Sequence, residues 1–93
     1  MSLDPQSAWI LAPLFRLQWE ETQDRFVLLY PEGLVELNLP AAEILKCCDG
    51  RHRLEDIVRE LEDKFETSGL GPDIEEMLEE ALRHGWIRHN PPQ

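Results

Sequence analysis

The stretch "RFVLLYPEGLVELN", residues 25–38, decides the fold. Phe26, Leu28 and Tyr30 alternate with Val27 and Leu29, marking a strand with apolar groups on both faces. "YPEG" closes it: Pro31 presets φ for a turn, and Gly33 supplies the left-handed conformation that ends one. A short strand over residues 34–37 follows, with Val35 and Leu37 on one face and Glu36 on the other. Nothing further along the chain reads as a strand to pair with it, so the hairpin predicts a free strand edge.

Working outward, Phe15, Leu17 and Trp19 alternate with Arg16, Gln18 and Glu20, the pattern of a half-buried strand. "EETQD" is the polar turn between the two. Residues 1–13 read as a loosely held arm, whose Trp9, Ile10 and Leu11 are too apolar for a solvated tail. That arm is a natural cover for the outer edge of the first strand.

Beyond residue 38 the period shifts from two to 3.6. Ala41, Ile44, Leu45 and Cys48 make one stripe, with Pro40 in the first turn and Gly50 just past the end. Leu54, Ile57, Val58, Leu61 and Phe65 make the second. After the breaker-rich "TSGLGP", Asp73 and Glu76 fit a capping box for a third helix. Its stripe is Ile74, Met77, Leu78, Ala81 and Leu82, and Gly85 ends it. Residues 89–93 are a proline-stopped tail. The expected class is α+β: a three-stranded antiparallel meander followed by three helices, winged helix-turn-helix-like, in one domain over residues 14–88.

With 93 residues, the chain suits one domain. A domain of this size buries only about 60–65% of its unfolded surface, leaving little room for a deep catalytic cavity. The formal charge is −10, from 9 Lys+Arg against 19 Asp+Glu. That balance argues against binding nucleic acid, which requires displacement of counterions by basic groups, and against an anionic membrane surface. Neutral or basic proteins and peptides are the favoured partners, although charge of this sign also serves solubility alone. In a helix-turn-helix reader, the third helix would offer basic and amide groups to the groove; here it runs "DIEEMLEEALRH". The N-terminal segment lacks a basic n-region and carries Asp4 and Pro5, unlike a signal peptide. Its apolar run is far below the roughly 18 residues that span a bilayer. Adjacent Cys47 and Cys48 staple no loop, which makes the cytoplasm the expected compartment.

Cys47, Cys48, His52, His84 and His89 invite a metal reading. Structural zinc sites use spaced ligand pairs that wrap the ion, and neighbouring cysteines do not suit that wrapping. Cys48 also falls on an apolar stripe, where a buried thiol is ordinary. No metal and no cofactor is therefore expected. Glu75, Glu76, Glu79 and Glu80 flank a helical stripe and read as a solvated face. No nucleophile motif or phosphate-binding loop is present, so the chain is not expected to be an enzyme.

"LLYPEG" with "ELN", the following "AAEIL" and "CDG", then "EDIVRELEDKF" and "GWI", together resemble PQQ synthesis protein D. The resemblance runs from about residue 14 to residue 87. It implies a peptide chaperone in pyrroloquinoline quinone biosynthesis. Such a protein binds the precursor peptide and presents it to a radical S-adenosylmethionine enzyme, which cross-links a Glu and a Tyr of that peptide. In related recognition domains the peptide adds as a strand to the third strand of the meander, in a cleft against the third helix. Carried onto this chain, the peptide-binding residues are Leu34, Val35, Glu36 and Leu37 with Ile74, Met77, Leu78 and Ala81. Pro40 departs from the family pattern, where a Ser or Thr cap is more usual. The alternative is a winged-helix regulator or a generic protein-interaction module.

Overall fold

The computed structural model describes residues 3–90. Two three-stranded antiparallel sheets pack with three helices. The first strands are β1 (Ala8–Leu11), β2 (Arg16–Glu20), β3 (Arg25–Tyr30) and β4 (Gly33–Glu36). Then come α1 (Leu39–Lys46), β5 (Asp49–Arg53), α2 (Leu54–Lys64), α3 (Gly71–Arg83) and β6 (Ile87–Asn90). One sheet has the order β2-β3-β4 and the other β5-β1-β6.

The meander forms as its alternation predicts. Leu17 stands opposite Leu28, and Leu28 opposite Val35, a row of apolar residues across one face. Leu28 is fully buried, and Val27 on the other face nearly so. The β3–β4 turn is tighter than the sequence suggested. Tyr30 pairs directly with Gly33, so Pro31 and Glu32 alone make the turn and Gly33 begins β4 with a near-extended φ of 158°.

The second sheet was not anticipated. The segment read as an arm contains β1, which runs down the centre of that sheet. Trp9 faces His89 of β6 and is completely buried. The arm therefore does not cover the outer edge of β2. Residues 89 and 90, read as tail, belong to β6, and residues 1–2 and 91–93 lie outside the described residues.

The first helix also ends earlier than its stripe implied. Cys47 is its C-cap, and Gly50 sits inside β5 rather than capping the helix. Gly50 has φ +88°, and a Cβ there would stand 3.1 Å from Asn90 Nδ2 and 3.4 Å from Ile10 Cδ1. Only glycine meets both the backbone requirement and the close approach.

Each helix start has its own local cause. Asn38 caps α1: its side-chain oxygen accepts the Ala41 N–H at 2.8 Å, and Pro40 sits in the first turn, where a missing N–H costs nothing. Asp56 accepts the Arg53 N–H at 3.0 Å at the start of α2. The expected Asp73/Glu76 capping box does not form. Helix α3 begins at Gly71, and the Leu70 N–H is satisfied across the helix pair by the Glu62 carboxylate at 2.9 Å.

Trp9, Leu28, Leu45, Ile57, Leu78 and Ile87 are the large side chains at the centre of the core, drawn from both sheets and all three helices. No helix among the described residues is long and apolar enough to cross a membrane.

Candidate functional site

Strand β4 is the outer strand of its sheet, bonded only to β3. The ladder fixes which of its backbone groups are free. The Leu37 N–H donates to the Phe26 carbonyl at 3.1 Å, and the register continues with Val35 opposite Leu28 and Gly33 opposite Tyr30. Bonded and non-bonded pairs alternate in an antiparallel ladder. Gly33, Val35 and Leu37 therefore turn their N–H and C=O groups inward to β3. Leu34 and Glu36, opposite Leu29 and Val27, turn theirs outward along the free edge. The side chains agree with this division: Leu37 is buried, Val35 half-buried, and Leu34 48% exposed.

An apolar groove of ≈ 300 Å³ opens between the start of α1, the end of α2 and the start of α3. Leu39, Pro40 and Ile44 line it from α1, Leu61 and Phe65 from the end of α2, and Ile74 from the first turns of α3. Leu39 and Phe65 are 59% and 44% exposed, a large apolar area to leave in water. Glu43 on its wall is the one buried carboxylate side chain among the described residues. It accepts from Lys64 at 2.6 Å and from Lys46 at 3.2 Å. Burial alone would push its carboxyl up, but the two ammonium groups outweigh burial and hold it below the ordinary range.

The eight residues assigned to peptide binding fall into two groups. Leu34, Val35, Glu36 and Leu37 lie together on and beside the free edge. The α3 residues do not join them as a wall. Ile74, Leu78 and Ala81 are 2%, 0% and 0% exposed, part of the core, and only Ile74 reaches the groove. Met77 is half-buried against that core. Sequence reasoning missed Leu39 and Phe65. Leu39 had no signal beyond lying beside a predicted helix start, and Phe65 read as part of the apolar stripe of the second helix, hence as core.

A second constellation lies elsewhere, where the end of α1, β5 and α2 meet. His52 Nδ1 is 2.9 Å from Asp49 Oδ1, and its Nε2 is 2.9 Å from Glu60 Oε1. These hydrogen bonds, Asp49 first and Glu60 second, raise the imidazole pKa. The Cys47 thiol donates to Glu60 Oε2 at 3.4 Å. Burial, followed by this bond to a carboxylate, pushes that thiol up to about 12, and burial raises Cys48 to about 12 as well. Neither cysteine is an activated nucleophile.

A small α+β domain with an open edge at β4 and an apolar groove among its helices has the form of a peptide-recognition module. The structure matches, with a TM-score of 0.78 over 94% of this chain and 95% of the other, the solution structure of the PqqD truncation of Methylobacterium extorquens PqqCD. That protein is 25% identical and is described as a functional, stand-alone recognition element for ribosomally synthesized and post-translationally modified peptides. The family model for coenzyme PQQ synthesis protein D matches residues 25–87, and the chain belongs to that family. It is 58% identical over 88 residues to the PqqA binding protein of Methylococcus capsulatus, covering 95% of both chains. It is 50% identical over 74 residues to that of Pseudomonas aeruginosa, covering 78% of this chain and 80% of the other.

Proposed function

We propose that this chain binds the precursor peptide of pyrroloquinoline quinone biosynthesis as an added strand on β4. It acts as a carrier rather than a catalyst, and presents the peptide to the radical S-adenosylmethionine enzyme of the pathway. The observation that carries the reading is the outward-facing pair of backbone groups at Leu34 and Glu36, on a strand whose chain runs on within three residues to Leu39 of the apolar groove. An exposed edge is a liability that proteins usually blunt, and it is also the device by which extended peptides are captured. Backbone hydrogen bonds set the peptide's register. An apolar peptide side chain leaving the strand at the Glu36 end meets the groove of Leu39, Pro40, Ile44 and Phe65. The relatives' names, which state PqqA binding, support the same partner.

Titration calorimetry with the precursor peptide, with an unrelated acidic peptide and duplex DNA as controls, tests the reading. Saturable binding of the precursor alone, lost in Glu36→Pro, is the expected result. Binding of DNA, or precursor binding indifferent to the β4 edge and to the groove, contradicts it.

A further inference from the structure

We infer that Cys47, His52 and Glu60 form a zinc-binding site that fastens the end of α1 to β5 and α2. The three donor atoms, a thiol Sγ, an imidazole Nε2 and a carboxylate oxygen, lie within 4.8 Å of one another. The Glu60 carboxylate lies between the other two, with Oε1 2.9 Å from His52 Nε2 and Oε2 3.4 Å from Cys47 Sγ. Donors around a tetrahedral zinc at its usual bond lengths stand about 3.3–3.6 Å apart, so small side-chain rotations bring the set into place.

The chemistry of the set selects the metal. A thiolate and an imidazole are poor ligands for calcium or magnesium and good ones for zinc. Charge is also matched, because a thiolate and a carboxylate neutralise a divalent ion. The outer layer is already built: Asp49 Oδ1 holds Nδ1 of His52 at 2.9 Å, which leaves Nε2 as the ligand atom. Asp49 is itself fixed by the Arg51 N–H at 2.9 Å. The ion takes the place of the protons that now bridge the three side chains, and binding releases them to solvent.

Cys47 is buried at the base of the site, His52 is partly covered, and Glu60 is exposed at its mouth. A shallow depression of ≈ 400 Å³, lined by Arg51, His52, Asp56, Arg59, Glu60 and Asp63, opens onto His52 and Glu60 and leaves room for a water as fourth ligand. Zinc fingers place their ligands in spaced pairs along the chain. Here the pairing is made in space, and the carboxylate comes from α2.

The test uses the untagged full chain, stripped with chelator and then titrated with Zn²⁺, and separately with Co²⁺ followed by absorption. One equivalent is expected, with tetrahedral ligand-field bands and a thiolate-to-cobalt charge-transfer band. Cys47→Ala removes that band. Glu60→Gln and Asp49→Asn weaken binding about tenfold or more, the latter as a positioning residue. Cys48→Ala and the pair His84→Gln, His89→Gln leave binding unchanged. Amide spectra verify each variant's fold, and the exposed Glu60→Gln decides the matter if Cys47→Ala unfolds. Three results overturn the assignment: no stoichiometric binding, a cobalt spectrum without thiolate character, or binding that persists undiminished in Glu60→Gln.

Discussion

Leu78 and Met77 are neighbours on one helix, and their burial separates their roles. Leu78 is fully buried and Met77 only half so. Leu78→Ala opens a cavity and costs about 2–5 kcal/mol of stability. Met77→Ala costs less, because part of its side chain already meets water. Thermal melts check the ranking. Glu43 gives a pH dependence. Its folded pKa lies below its ordinary value of 4.5, so its contribution is fully present above that value and is lost as pH falls through the folded one. Wild-type protein therefore loses stability in acid more steeply than Glu43→Gln, measured by denaturant midpoints between about pH 3 and 6. Nothing in the residue pattern singled out Glu43. It lies off the apolar stripe of the first helix, and only the fold places it between Lys46 and Lys64.

At the scale of elements, the free edge makes a period-two prediction. Proline removes an N–H donor and is tolerated where that donor bonds nothing within the domain. Leu34→Pro and Glu36→Pro should leave the free domain folded and weaken peptide binding. Val35→Pro and Leu37→Pro break bonds to Leu28 and Phe26 and should destabilise the domain itself. Amide spectra and peptide titrations on the four variants give the pattern. The meander was legible because Leu17, Leu28 and Val35 alternate with polar or opposite-face residues. Strand β5, "DGRHR", was not. It has no apolar alternation, and its pairing comes from β1 together with the Asn90 side-chain bond to the Gly50 carbonyl at 2.9 Å. The stripe of α3 was equally visible. Periodicity gives a face and not a depth, so its division into core and surface had to come from the fold.

Across the whole molecule, the two sheets do different work. The β5-β1-β6 sheet ties residues near both ends of the chain into the core, with Trp9 at its centre and β1 paired on both sides. Four apolar-rich residues between Pro5 and Pro13 gave no hint that their partners lay some forty and eighty residues on. Deleting residues 3–11 should therefore abolish cooperative unfolding, seen by calorimetry, where removal of a true arm would leave the melt nearly unchanged. The β2-β3-β4 sheet leaves its β4 edge unpaired, the edge proposed to take the peptide.

The most direct test of that central claim is amide hydrogen exchange of the isotope-labelled domain, with and without precursor peptide. In the free domain the N–H groups of Leu34 and Glu36 should exchange quickly, while those of Val35 and Leu37 are protected by β3. Saturating peptide should protect Leu34 and Glu36 selectively, with shifts at Leu39 and Phe65 marking the groove. Peptide binding that leaves both β4 amides in fast exchange would contradict strand addition.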